Sequence, residues 1–360
     1  MGAYVGPMMD ARLTIATDDV WPPAGGIATF AGEVLGGLER LGHRVSRLST
    51  GPLARLAPLT PARPLSISAG LRRHRHEIFY SPGFYPPLWW PGPRVVTVHD
   101  LQYLRRGPGH SAVRRHYFQR VLLPLIGACD LVLTVSTESR DELRSALGPS
   151  PPVEIVGEGV ADEFFLAGKR ATARERDRRQ PLRLVYVGNW LPHKRADLVV
   201  AAAGVASRST PLILSLPRSA PAPVERLIAD LEADPSARIE IERRPRLDVA
   251  GLAAAVAGAD LLLLLSRHEG FGLPPIEAQA ARTPVLVADY GGARRRYGDH
   301  GAHYVDVDAG ARDVAARIVE LARHRDLRAS TVEAGVANAE THRWSDVAQR
   351  VESAIAGLAP

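Results

Sequence analysis

SRHEGFGLPPIEAQAARTPVLVADYGG, residues Ser266–Gly292, is the stretch whose reading decides the fold. Five leucines, Leu261–Leu265, precede it. A run that short, apolar on every side and without alternation, predicts a parallel strand covered on both faces, with a buried helical segment as the alternative. Gly270 and Gly272 then permit a tight turn and close approach to a ligand. Pro274 and Pro275 suit the entrance of a helix, where a missing N–H costs little. The helix is expected from Leu273 to Ala281. Thr283-Pro284 ends it, and Val285–Val287 reads as the next strand. The loop Arg267–Gly272 thus joins the carboxyl end of a strand to the amino end of a helix. Ligands bind at such places in open α/β sheets, and unpaired helix N–H groups attract anions.

Glu269 and Glu277 bracket this turn. On one unbroken helix they would stand roughly 80° apart, from the 3.6-residue period. The glycines and prolines break that helix, which puts Glu269 on the loop and Glu277 in the first helical turn, both facing one crevice. Carboxylates only accept hydrogen bonds and so suit hydroxyls. An acid on each side of a phosphate site fits a nucleotide sugar. The plainer alternative is that Glu277 complements the helix dipole and Glu269 is solvated.

The segment Glu269 to Ala278, with the following strand and the Gly291-Gly292 turn, resembles the E-x7-E signature of GT-B glycosyltransferases of family 4. The resemblance extends over nearly the whole chain and is densest from Leu182 to Gly292. It implies an α/β fold of two doubly wound Rossmann-like domains facing across a cleft. The expected division is an acceptor domain over 1–168, a linker at 169–180, and a nucleotide-sugar domain over 181–342. A helix over 343–360 is expected to cross back to the first domain.

The remaining motifs are read in that light. The strand Leu182–Val187 runs into Gly188-Asn189-Trp190-Leu191-Pro192-His193-Lys194, a glycine turn before a helix starting near Ala196. A lysine beside a diphosphate interacts by up to about 4 kcal/mol at ~4 Å and an effective dielectric of ~20. The resemblance assigns that role to Lys194. Asn189 stands where family members most often carry an arginine, so one positive charge is missing, and Arg195 or His193 is expected to compensate. This Gly-Asn-x-x-Pro-His-Lys variant resembles a mannosyl- and rhamnosyltransferase branch, which hints at GDP-mannose. Arg94–Val98 ends at His99-Asp100; the resemblance places His99 beside the donor sugar. Gly25 and Gly26 precede the periodic helix Ile27–Leu41 and by resemblance touch donor phosphate or acceptor. Gly157-Glu158-Gly159-Val160 stands where the family usually has Asn-Gly-Val, and Glu158 receives no role. Gly51–Gly70 reads as irregular. The aromatic loop Ser81–Pro93 is an ordinary cover or a sugar-stacking surface.

Composition sets outer limits. The 360 residues exceed the size at which a single core usually divides. A single cysteine, Cys129, leaves no internal disulfide framework and fits a reducing compartment. The amino end lacks a basic region before an apolar one, and no apolar run reaches a membrane span. A cytoplasmic protein is expected, with peripheral contact to an anionic membrane suggested by the net charge of +6 and by basic clusters such as Arg72–His76, Arg105-Arg106 and Arg294–Arg296. No nucleic-acid-binding motif is present.

Taken together, a hexose is expected to pass from a nucleoside diphosphate sugar to a glycan, lipid-linked or secondary-metabolite acceptor with retained configuration. The expected catalytic residues are Glu269, Lys194 and His99. The expected binding residues are Gly25, Gly26, Asn189, Gly270, Phe271, Gly272, Leu273 and Glu277. No metal or cofactor is expected: lysine and helix N–H groups can replace a divalent ion. A sugar-nucleotide epimerase, a phosphorylase and a non-catalytic binding subunit are the rival readings.

Overall fold

The structure, a computed structural model, describes residues 13–18, 26–48, 62–71, 77–104, 111–171 and 180–358. Gly25, the clusters Arg72–His76 and Arg105-Arg106, and most of the expected linker lie outside them. The chain divides into two compact units, residues 1–157 with 344–360, and residues 158–343.

The first unit holds a six-stranded sheet of β1 (Thr14–Asp18), β2 (Arg44–Leu48), β3 (Ile78–Ser81), β4 (Arg94–Val98), β5 (Leu131–Thr134) and β6 (Val153–Ile155). Their order is β2-β1-β3-β4-β5-β6 and every pairing is parallel. The central strands are mostly apolar and almost wholly buried, because helices cover both faces of such a sheet. The helix Gly26–Arg40 buries Phe30, Val34 and Leu38. The last helix, Trp344–Ala356, belongs to this unit: Trp344 meets Phe30 edge-on at 5.9 Å, and Glu352 lies 2.7 Å from His43. The irregular reading of Gly51–Gly70 is corrected: Ala62–Gly70 is a helix. Its sequence, with Pro64, Ser66 and Ser68, carries no apolar stripe; burial of Ile67 and Leu71 supplies what periodicity does not.

The second unit repeats the plan with β7 (Leu182–Val185), β8 (Leu212–Pro217), β9 (Ile239–Arg244), β10 (Leu261–Leu264), β11 (Val285–Asp289) and β12 (His303–Asp306), ordered β12-β11-β10-β7-β8-β9 and all parallel. The leucine run is its central strand, paired to β7 on one side and β11 on the other, and it is fully buried. The expected division at residue 168 moves to 157. The reason is the helix Asp162–Arg170, which buries Phe164 and Phe165 within the second unit. It approaches the helix Leu273–Ala280 so closely that a Cβ on Gly168 would stand 2.7 Å from the Ala280 carbonyl oxygen. Among the described residues no helix is long and apolar enough to cross a membrane.

In each sheet the chain builds outward from its first strand, then crosses back to that strand's other side. The reversal falls between β1 and β3 in the first unit and between β7 and β10 in the second. Parallel connections leave a crevice beyond the carboxyl ends of such a pair.

Candidate active site

At the reversal in the second unit, the loop after β7 and the loop after β10 are tied together by three contacts. The Arg267 N–H donates to the His193 carbonyl at 2.9 Å. The His193 and His268 rings stack with centroids 4.5 Å apart. Lys194 Nζ donates to Glu269 Oε2 at 2.5 Å, with the two side chains only 15% and 5% exposed. Shielding of that degree makes the ion pair much stronger than a surface pair. The other carboxylate oxygen of Glu269 is buried and accepts no hydrogen bond.

Beside this pair lies the glycine loop. Gly272 caps the helix Leu273–Ala280 at φ 86°, a left-handed conformation that glycine adopts without penalty. Pro274 and Pro275 lack N–H groups, so the donors at this helix end gather on the loop and on Leu273. The N–H groups of Gly270, Phe271, Gly272 and Leu273 donate to no described residue. Their direction is set from behind, by the helix Ala293–Tyr297. Arg296 donates to the Phe271 carbonyl and, at 3.2 Å, to the Tyr290 hydroxyl. The Tyr290 and Tyr297 hydroxyls lie 2.6 Å apart, and Tyr297 donates to the Gly272 carbonyl at 3.1 Å. Burial pushes both phenols well up, so they stay protonated and keep donating. Because these side chains hold the two carbonyls, the N–H groups of the same peptide units, on Gly272 and Leu273, point the opposite way. The result is a loop that turns the Gly272 and Leu273 N–H groups away from the buried side chains, next to an amine, an arrangement suited to an anion.

Glu277 sits in the second turn of its helix, not the first, because the helix begins at Leu273. It lies deep in the protein yet keeps part of its surface open. Burial, and secondarily the carboxylate of Glu158, push its carboxyl up to about 7. Glu158 itself is 7% exposed. Between the ordinary carboxyl pKa of about 4.3 and about 7, the folded chain retains a proton that the unfolded chain has released. Stability therefore falls as pH rises through that window. At about 1.4 kcal/mol per unit, the cost above it is about 3–4 kcal/mol. Glu277→Gln is expected to raise Tm at about pH 8.5 and to change it little at about pH 4.5. Equal Tm differences at both pH values would show that the buried charge is not the cause.

Asn189 is exposed, and its side chain shapes the loop: Oδ1 accepts from the Leu191 N–H at 3.2 Å, and its carbonyl accepts from the Tyr186 hydroxyl at 2.6 Å. The compensation expected from Arg195 is corrected. At φ 50° that residue turns its guanidinium onto the carbonyls of Val307 and Ala309, at 2.5 and 3.0 Å. Arg244 instead brings a cation to the foot of the loop, donating to the Tyr186 carbonyl at 2.6 Å. Of the cluster Arg294–Arg296, Arg294 and Arg295 are exposed and Arg296 is not. Arg296 is buried under the glycine loop, and Arg294 pairs with Asp289 at 2.7 Å. Three successive arginines gave no sign of which one points inward. Tyr290, Tyr297 and Glu158 were also missed, and only the departure at Glu158 could have drawn attention.

His99 and Gly26 lie in the first unit. The His99 ring packs edge-on against Phe30 at 4.7 Å, with Nε2 donating to the Pro82 carbonyl at 3.0 Å. Ser139 holds its carbonyl at 3.0 Å. Gly26 opens the helix Gly26–Arg40, and an added Cβ would meet nothing within 4 Å. Among the described residues no group of three or more His, Cys, Asp or Glu side chains is arranged to hold a metal ion.

Comparison with known proteins bears on the fold and the family. The profile described as Family 4 Glycosyltransferase in conflict systems matches residues 94–355. A D-inositol 3-phosphate glycosyltransferase of Thermobispora bispora is 29% identical over 349 residues, covering 86% of this chain and 79% of its own. The O-antigen chain mannosyltransferase RfbU of Salmonella typhimurium is 27% identical over 198 residues, 54% of this chain and 52% of its own. Among solved structures, sucrose-phosphate synthase from Thermosynechococcus elongatus superposes with a TM-score of 0.73 at 18% identity, covering 96% and 99% of the two chains. Anabaena HepE in complex with UDP-glucose gives 0.70 at 16%, covering 96% and 100%. Two parallel six-stranded sheets of the GT-B kind and a profile that matches well over half of the chain lead to one assignment: the chain belongs to the family 4 glycosyltransferases, in the group described as those of conflict systems.

Proposed function

We propose that the chain transfers a hexose from a nucleoside diphosphate sugar to a hydroxyl acceptor with retention of configuration. The observation that carries this reading is the shielded Lys194–Glu269 pair beside four N–H groups that donate to no described residue, at the reversal point of the second sheet. In this reading the diphosphate lies against Gly270, Phe271, Gly272 and Leu273. Lys194 meets the negative charge that grows on the leaving phosphate, a contribution that strengthens in the transition state and so accelerates the reaction. The unused oxygen of Glu269 accepts from a sugar hydroxyl. Glu277 takes the ribose hydroxyls; because hydroxyl donors favour the ionised carboxylate, donor binding draws its pKa back down. Asn189 shapes the loop over the diphosphate.

The acceptor oxygen attacks the anomeric carbon on the face the diphosphate leaves. The C–O bond to phosphate breaks, and the acceptor proton passes to the departing phosphate oxygen. No enzyme nucleophile enters. The charge is met by Lys194 and N–H groups, without a metal or other cofactor. GDP-mannose is the finer donor reading. It is supported by the mannosyltransferase relative. The inositol phosphate relative supports a polyol or glycan acceptor.

A thermal-shift panel of nucleotide sugars tests the donor. At about 100 times Kd the right one stabilises the fold by about 2.7 kcal/mol, a rise of a few degrees. GDP-mannose is expected to exceed UDP-glucose. The reverse order would overturn the GDP-mannose reading, and no shift with any member would overturn the donor reading.

A further inference from the structure

Arg296 and Tyr297 hold the glycine loop from behind, and those two residues are themselves held. We propose that Gln279 and Asn338 are positioning residues for sugar transfer: through the helix Ala293–Tyr297 they fix where the glycine loop stands against a bound diphosphate. The proposal rests on the reading above that the diphosphate lies on Gly270, Phe271, Gly272 and Leu273.

The helix Ala293–Tyr297 is five residues long, too short to be stable by itself. Its place has to come from tertiary contacts. A helix end also leaves its last carbonyls without partners inside the helix. Here two side chains from other helices take them. Gln279 Nε2 donates to the Tyr297 carbonyl at 2.7 Å and to the Gly301 carbonyl at 3.0 Å. Asn338 Nδ2 donates to the Arg296 carbonyl at 3.0 Å and to Gln279 Oε1 at 2.8 Å. Carbonyls only accept, so these partners fix the orientation of both amides. Gln279 is 2% exposed, and glycines make room for it. A Cβ on Gly301 would stand 2.9 Å from Gln279 Nε2, and one on Gly335 would stand 3.0 Å from Gln279 Cγ.

The contacts close a circuit. Arg296 and Tyr297, whose carbonyls are held, donate from their side chains to the carbonyls of Phe271 and Gly272. Gly272 caps the helix Leu273–Ala280, and Gln279 stands about two turns further on in that same helix. The loop, its own helix and the short helix behind it are thus braced as one unit. Asn338 ties that unit to the helix Val332–Glu340. A buried carbonyl that loses its donor seeks another, so removing either amide lets the short helix shift. The error passes to the Phe271 and Gly272 carbonyls and from there to the diphosphate, where displacement by roughly an ångström is already costly. Amides that served the fold alone would lower Tm when removed but would not distinguish one ligand from another.

Titration calorimetry on the intact chain separates the two roles, with GDP against guanosine as one pair of probes and UDP against uridine as the other. Asn338→Leu and Gln279→Met keep much of the side-chain volume and remove the donors. Each is expected to weaken the diphosphate that wild type prefers by about tenfold, with the matching nucleoside held as in wild type. Asn338 is half-buried, so Asn338→Leu covers the case that Gln279→Met fails to fold. Equal weakening of diphosphate and nucleoside would overturn the proposal. Wild-type affinity for both would overturn it too, whatever happens to Tm. If wild type held neither diphosphate more tightly than its nucleoside, the placement of the diphosphate on the loop would fail, and this proposal with it.

Discussion

Lys194→Ala is expected to lower the turnover of sugar transfer by about 10²–10³-fold, the usual effect of removing one preorganised donor from a developing negative charge. The amine is already placed by its contact with Glu269 at 2.5 Å, so no reorganisation is needed as charge grows. The same substitution leaves a carboxylate that is 5% exposed without its cation, which destabilises the fold by about 2–5 kcal/mol. The two effects separate in the double variant Lys194→Met with Glu269→Gln. Removing both charges should restore most of the lost Tm, while transfer stays low. Single-turnover rates beside melting curves make the comparison. Recovery of activity together with Tm would show that Lys194 serves only the fold. Wild-type rates in Lys194→Ala would remove the assignment altogether.

Gly272→Ala is expected to lower transfer by about 10²-fold, the cost of displacing a site by roughly an ångström. Two physical effects combine. The backbone is left-handed at φ 86°, which costs an L-residue about 1–2 kcal/mol. The added Cβ would also stand 2.3 Å from the Tyr297 hydroxyl. The methyl and hydroxyl cannot share that space, so the loop moves or Tyr297 does, and either way the Gly272 carbonyl loses its donor. Adding Tyr297→Phe removes the clashing oxygen. The double variant should be more stable than Gly272→Ala alone yet equally slow, since the hydrogen bond that aims the Leu273 N–H is still missing. A double variant with near wild-type turnover would show that the tyrosine hydroxyl does not orient the loop.

Much of the fold is legible in the residues alone. The short leucine- and valine-rich runs at Leu131–Thr134, Leu182–Val185, Leu212–Pro217 and Leu261–Leu264 become mostly buried parallel strands, because a strand covered on both faces is apolar along most of its length. The glycine and proline positions mark the turns for an equally local reason, since they restrict or free the backbone wherever they stand. Ala62–Gly70 shows where that reading ends: its helix has no periodic stripe, and its stability comes from neighbours distant in sequence. The division at Gly157 has the same origin, in the packing of Asp162–Arg170 against the helix Leu273–Ala280.

The sequence by itself determined the two-sheet α/β architecture, the glycine loop and the candidacy of Lys194, Glu269 and Glu277. These follow from hydrophobic period, backbone permissiveness and the chemistry of single side chains, together with the resemblance to the GT-B family. Only the tertiary structure decided which charges meet. It joined Lys194 to Glu269 across 75 positions, set Glu158 near enough to raise the Glu277 carboxyl, buried Arg296 under Phe271 and turned Arg195 onto the carbonyls of Val307 and Ala309. Coulomb forces and hydrogen bonds act over a few ångströms in space, and the strand order that brings distant loops that close is not written in any one stretch of the chain.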